Sequence, residues 1–152
     1  MAGFVKDGAS MEDALELARA FHALGVWSHA PLDIEAVRTT FAHQAESEDG
    51  FLAYSKQALI MGIIAPVWFS PGTNIGIEMI WYSRNPADGQ AMRRAFEEWA
   101  TAKGVSEVQF SCMANEHEAG VRRLFRQAGF EPIEIGFRSG RASCRERVSS
   151  PV

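Results

Sequence analysis

The sequence predicts an α/β (α+β) domain with a mixed, mostly antiparallel sheet flanked by about four helices. Three observations carry this. Apolar residues recur at helical spacing from Ala14 to Leu24 and again from Ile34 to Phe41. Three strand-like segments then follow one another between Gly50 and Ser83, and strands joined without a helix pair antiparallel. Beyond them helix alternates with strand, as a parallel portion requires. A chain of 152 residues suits one domain and can bury a real core.

Each element has a local reason. Ser10 can cap a first helix while Asp13 reciprocates, and Ala14, Leu17, Ala18, Phe21 and Leu24 share one face up to a stop at Gly25. A second helix is expected over 32–45, with Asp33 favoured by the dipole at its start. Residues 50–55 read as a short strand. The run from Ala58 to Phe69 is continuously apolar, as a strand buried on both faces would be, and Pro66 should end or bulge it. Residues 70–74 are turn formers. In the next strand Ile75, Ile77, Met79 and Trp81 alternate with Gly76, Glu78, Ile80 and Tyr82. A turn at 84–89 leads into a helix reaching about Lys103, with Met92, Ala95, Phe96 and Trp99 inward. Residues 106–113 alternate again, 119–128 form a short helix ended by Gly129, and 130–138 read as a last strand. Residues 139–152 have little apolar content and no period, and read as a disordered tail beyond a single domain over 1–138.

Composition narrows the function. A net charge of −4 argues against a general nucleic-acid binder. No apolar run is long enough for a membrane span, and the N-terminal residues lack a signal-peptide core. The two cysteines, Cys112 and Cys144, have no metal-ligand spacing, nor do His22, His29 and His43. A cytoplasmic protein without a metal is expected.

The sharpest chemical feature is a strand running through Arg84-Asn85-Pro86-Ala87-Asp88-Gly89 into a helix beginning at Gln90. A helix N-terminus offers unpaired N–H groups and partial positive charge, which suit a phosphate. Gly89 would permit close approach, and Arg84, Arg93 and Arg94 add cations. The same turn is also how an ordinary loop caps a helix.

The stretch from Ser10 to Arg138 resembles the GNAT family of N-acetyltransferases. Arg84-x-x-Ala87-x-Gly89 has the spacing of that family's acetyl-CoA loop, Q/R-x-x-G-x-G/A. The second mark is a strand ending at Asn115, then Arg123-Leu-Phe and Gly129-Phe130-Glu-Pro. The resemblance implies transfer of an acetyl group from acetyl-CoA to a small-molecule or peptide amine. It implies that Met79, Ile80 and Trp81 pair with the pantetheine arm. Arg84, Ala87, Asp88, Gly89 and Gln90 would hold the phosphates, and Asn115 and Phe125 would line the cofactor. Three departures stand out. Pro86, Ala87 and Asp88 make a poorer phosphate loop. Phe125 stands where many members have a proton-donating tyrosine. A further strand common in the family is missing, leaving a place for a partner subunit in a homodimer.

Glu78 is the first choice for general base, because an acid among apolar strand neighbours has a raised pKa suited to deprotonating an ammonium. Otherwise it pairs with an arginine or lies on an exposed face. Tyr82, expected on the same face, is a reserve acid, and His117 a titratable loop neighbour. Asn115 serves equally well as a cap for the helix after it. Trp27, Trp68, Phe69 and Trp81 could line an acceptor pocket or belong to the core. The Arg122, Arg123 and Arg126 run could reach the CoA 3′-phosphate or form a solvated face. The rival function is a GNAT-like scaffold without catalysis, a CoA sensor or interaction module.

Overall fold

The first helix, α1 (Met11–Leu24), begins on a capping box: Asp13 N–H donates to Ser10 Oγ, and Ser10 N–H donates to Asp13 Oδ2 at 2.7 Å. These bonds satisfy two amides that a helix start leaves open. The second, α2 (Ile34–Glu46), starts later than expected because Asp33 is its cap rather than a first-turn residue. Its carboxylate accepts from the amides of Glu35 and Ala36. The computed structural model describes residues 3–138, which fall in two compact units meeting in sequence at 118–119.

In the first unit the strands β1 (Gly50–Tyr54), β2 (Ala58–Val67), β3 (Ser70–Ser83) and β4 (Val108–Gln109) lie side by side in chain order. The first three pair antiparallel, and β4 joins β3 in parallel after the crossover helix α3 (Pro86–Ala102). Buried Ser55 sets the tight β1–β2 turn, its hydroxyl accepting the amides of Gln57 and Ala58 at 3.0 Å each. The first half of β2 is buried on both faces. Leu59 and Met61 pack with Leu15, Leu17 and Phe41 of α1 and α2, while Ala58 and Ile60 pack with Met92 and Phe96 of α3. Two layers of core thus sandwich the sheet, as the unbroken apolar run implied.

Three expectations need correction. The β2–β3 turn is Trp68-Phe69, not 70–74. Ser70 pairs with Val67, and Pro71 to Asn74 lie within β3. The register slips at Pro66/Val67, where proline cannot donate to the ladder, so turn formers sit in an edge-like strand end rather than in the turn. The strand expected over 106–113 is reduced to Val108–Gln109. No strand forms over 130–138, where Ile133, Ile135 and Phe137 are exposed. Alternation records which side chains could share a face, but a strand exists only where a neighbour accepts its backbone hydrogen bonds.

The second unit contains α4 (Glu118–Gln127). It ends in a Schellman motif. Gly129 is left-handed at φ +87°, its N–H bonds the Arg126 carbonyl, and Phe130 N–H bonds the Phe125 carbonyl at 2.9 Å. The Phe125 and Phe130 rings meet edge to face at 5.2 Å, the apolar contact that accompanies the motif. Among the described residues no helix is long and apolar enough to cross a membrane. The expected tail, 139–152, lies outside the described residues, as does Cys144.

Candidate active site

The site is built on an irregularity in β3. Glu78 faces Gly62 on β2, but the next β2 residue back, Met61, faces Ile80. Met79 is therefore an extra residue, a β-bulge, and a bulge reverses the alternation of side chains beyond it. The packing shows the reversal. A Cβ on Gly76 would meet Ala100 and Phe96, and one on Gly62 would meet Phe96, so this face of the sheet lies under α3. Glu78, two residues from Gly76 and opposite Gly62, belongs to that face. Past the bulge Trp81 continues it, while Ile80 and Tyr82 pack with the α1–α2 cluster. Tyr82 and Glu78 consequently do not share a face. The expected period of two fails because it breaks at Met79, between them.

The bulge coincides with the end of strand pairing. β3 meets β4 only at Gly76–Val108 and Ile77–Gln109. Beyond this the chains part, and Glu78 spans the opening: its Oε2 accepts the Ser111 N–H at 3.0 Å. A side chain thus takes an amide just beyond the point where β4 stops pairing with β3. Glu78 is only 8% exposed. Burial pushes its carboxyl up to about 7, opposed weakly by the Ser111 amide, which favours the charged form. No lysine or arginine among the described residues forms an ion pair with it, and it lies on no exposed face; its hydrogen-bond partner is the Ser111 amide.

The turn before α3 is ordered by Asn85. Its side chain caps the helix by accepting from Ala87 N–H at 3.0 Å, and its carbonyl accepts from Gly89 N–H at 3.0 Å. Pro86 has no N–H. A phosphate at this terminus would find few open amides. Gly89 is buried for a different reason from the one expected. A Cβ there would lie 2.8 Å from Ser83 Cβ, and the Gly89 carbonyl accepts from Trp81 Nε1 at 2.9 Å. The glycine lets α3 settle on β3.

The cations also differ from expectation. Arg84 and Arg94 are exposed near the turn. Arg93 is buried, bound to Gln90 Oε1 at 3.0 Å and to the Glu97 carboxylate, so it is unavailable to a ligand. Sequence reading missed Lys6, whose Nζ lies 3.1 Å from Asp88 Oδ1 and answers the negative charge on the loop. The backbone of the N-terminal segment brings it there by bridging to Tyr54. Nothing local to Lys6 signals a partner 82 residues away.

Of the remaining residues, Asn115 Oδ1 accepts the His117 N–H at 2.9 Å and its carbonyl accepts the Glu118 N–H, an Asx turn leading into α4 rather than the helix cap itself. His117 is exposed beside Glu116. Phe125 packs on Phe130 within its own unit, and Arg122, Arg123 and Arg126 face solvent on α4. Trp27 lines a cavity of about 330 Å³ between α1, α2 and the sheet, together with Met61, Met79, Ile80 and Met113. Trp68 and Phe69 stand exposed at the hairpin tip, and Trp81 packs against Phe110 under α3. Among the described residues no cluster of His, Cys, Asp or Glu gathers as a metal site.

Comparison with solved structures identifies the architecture. The chain superposes on the aminoglycoside antibiotic 6'-N-acetyltransferase AAC(6')-IG from Acinetobacter haemolyticus with a TM-score of 0.61 at 18% identity, covering 89% of this chain and 94% of that one. The aminoglycoside N-acetyltransferase AAC(6')-Iy in complex with CoA gives 0.58 at 16%, covering 86% and 90%. A transcriptional regulator from Bacillus halodurans gives 0.65 at 14%, covering 87% and 95%. No protein-family model and no curated protein matches the sequence. The fold is that of the GNAT acetyltransferases.

Proposed function

We propose that residues 1–138 form one acyltransferase domain that moves an acetyl group from acetyl-CoA to a primary amine by direct attack. The observation that carries this reading is Glu78: a buried, cation-free carboxyl with a pKa of about 7, set beside a bulge where β3 and the chain after β4 separate. A carboxyl isolated in this way is poised for proton transfer at neutral pH.

The fit to CoA rests on three features. The end of pairing after Ile77 supports a pantetheine arm lying along Met79, Ile80 and Trp81. Lys6 neutralises Asp88, which lessens the repulsion that Asp88 would exert on a pyrophosphate. Arg84, exposed at the turn with Ala87, Gly89 and Gln90, supplies the loop's cation. Asn115 would reach the cofactor at the end of its loop.

In this scheme Glu78, ionised above about pH 7, removes a proton from the acceptor ammonium. It acts through a water, because the bulge turns Glu78 to the α3 side and the cavity lies on the α1–α2 side. The amine lone pair attacks the thioester carbon, the C–S bond breaks, and the thiolate leaves. With a thiol pKa of about 8.5, departure without an acid carries a modest penalty, which is compatible with Phe125 and leaves Tyr82 in reserve. The proton shed on forming the amide neutralises the thiolate.

Calorimetry with acetyl-CoA, followed by thiol release on a panel of amines, tests the reading. Absence of binding at millimolar acetyl-CoA would sink it. The second reading is a catalytically impaired GNAT-like domain acting as a CoA sensor or protein-interaction module; the amides of Ala87 and Gly89 already bound to Asn85 leave little for a phosphate and favour the interaction module. Binding without turnover across the panel would select the sensor.

A further inference from the structure

The cavity between α1, α2 and the sheet has a composition that bears on the acceptor. Its volume of about 330 Å³ falls in the range of small-molecule sites. Apolar side chains dominate the lining, and it contains no aspartate, glutamate, lysine or arginine. Its polar side chains are His22, whose Nε2 lies 2.8 Å from the Ala30 carbonyl, and Thr40, whose Oγ1 donates to the Ala36 carbonyl at 2.9 Å. Buried Ile80 lies at its base, and half-exposed Met79, the bulge residue, lines one end. The cavity therefore runs up to the place where β3 opens, one residue from Glu78. At its other end it reaches solvent along Trp27, Ala36 and Thr40, all exposed.

We infer that this cavity takes a monoamine with an apolar body, its single amino group held at the Met79 bulge and the rest of the molecule buried among Phe21, Phe41, Met61 and Met113. The inference rests on the acetyl-transfer reading and names the acceptor class for it. The argument is one of charge. An ammonium at the bulge is the group to be deprotonated. A second ammonium deeper in the cavity would meet no carboxylate, and burying a charge without an opposite charge to pair with it is strongly unfavourable. Polyamines and aminosugars, which carry several such groups, are excluded on that ground. An alkyl or aryl body gains from each carbon removed from water.

The test uses the whole chain with acetyl-CoA and four amines: phenethylamine, 3-phenylpropylamine, 4-phenylbutylamine and spermidine. Each added methylene should raise kcat/KM about 4-fold, the equivalent of ~0.8 kcal/mol per buried CH₂, and spermidine should fall roughly 100-fold below the best arylalkylamine, as expected for an unpaired buried charge. In parallel, calorimetry measures 4-phenylbutylamine binding without acetyl-CoA to the native chain and to Ala36→Trp and Thr40→Trp. Both positions are exposed on α2, so each bulky side chain can fill the cavity mouth without disturbing the core. Either variant should weaken amine binding at least about tenfold, a loss of ~1.4 kcal/mol, with acetyl-CoA affinity unchanged. Acetylation of spermidine in preference to the arylalkylamines overturns this inference and leaves the transferase reading intact. Tight 4-phenylbutylamine binding that both tryptophans block, with no amine acetylated, upholds the cavity assignment and removes the transferase reading. Unaltered amine binding in both folded variants overturns the cavity assignment.

Discussion

Replacing Glu78 with glutamine removes one titrating proton while keeping the size of the side chain and an oxygen that can accept the Ser111 amide. Burial holds the native carboxyl at about 7 against an ordinary 4.5. Between those pH values the folded chain binds more protons at this site than the unfolded chain. Stability therefore falls as pH rises through the window and is level above it. At roughly 1.36 kcal/mol per pH unit the accumulated penalty is on the order of 3 kcal/mol. A glutamine at this position carries no such penalty. Urea unfolding followed by tryptophan fluorescence should show Glu78→Gln gaining stability relative to the native chain on going from about pH 5 to about pH 8, by up to that amount, with equal m-values. A difference between the two proteins that is the same at both pH values would refute the assignment of a buried, destabilised carboxylate. The catalytic arm is separate. Native kcat/KM should rise with pH through an apparent pKa of about 7. Glu78→Gln should abolish that rise and lower turnover by about 10²–10⁴-fold, the usual worth of positioned proton transfer, with little change in acetyl-CoA affinity. Unchanged turnover would remove Glu78 from the role of base even if the stability result held.

Gly89→Ala should push α3 off β3, because the new methyl would lie 2.8 Å from Ser83 Cβ; a loss of about 1–3 kcal/mol in urea unfolding is expected, and stability equal to native would show that the contact relaxes freely. Gly62→Ala should cost at least as much, since its methyl would lie 2.3 Å from the Phe96 ring. Lys6→Ala should weaken acetyl-CoA binding several-fold by exposing the loop to the Asp88 charge, and adding Asp88→Asn should restore it; calorimetry of the two variants decides, and no change in Lys6→Ala refutes the role. Ser10→Ala breaks the α1 capping box and should cost about 1 kcal/mol, read as a lowered melting temperature.

Much of this protein is legible along the chain because its causes are local. A serine three residues before an aspartate makes a capping box wherever a helix follows. The unbroken apolar run from Ala58 demands cover on both faces, and α1, α2 and α3 provide it. Gly129 followed by Phe130 reads as a helix stop, and the left-handed glycine with its ring contact to Phe125 is the physical content of that signal. Glu78 stands out by the same logic, an acid among strand apolars. What the chain alone could not provide is everything that depends on a partner distant in sequence. A bulge is one residue of slip against a neighbouring strand, so the separation of Glu78 from Tyr82 exists only once Met61 and Gly62 have chosen their partners. The shortness of β4 and the capture of the Ser111 amide by the Glu78 carboxylate appear only in the folded chain. The pairing of Lys6 with Asp88, the burial of Arg93 against Glu97 and the apolar cavity under α1 and α2 are likewise products of folding. Local rules decided the helices, their caps and the buried strands; long-range pairing decided where strands stop or fail to form and which way their side chains point.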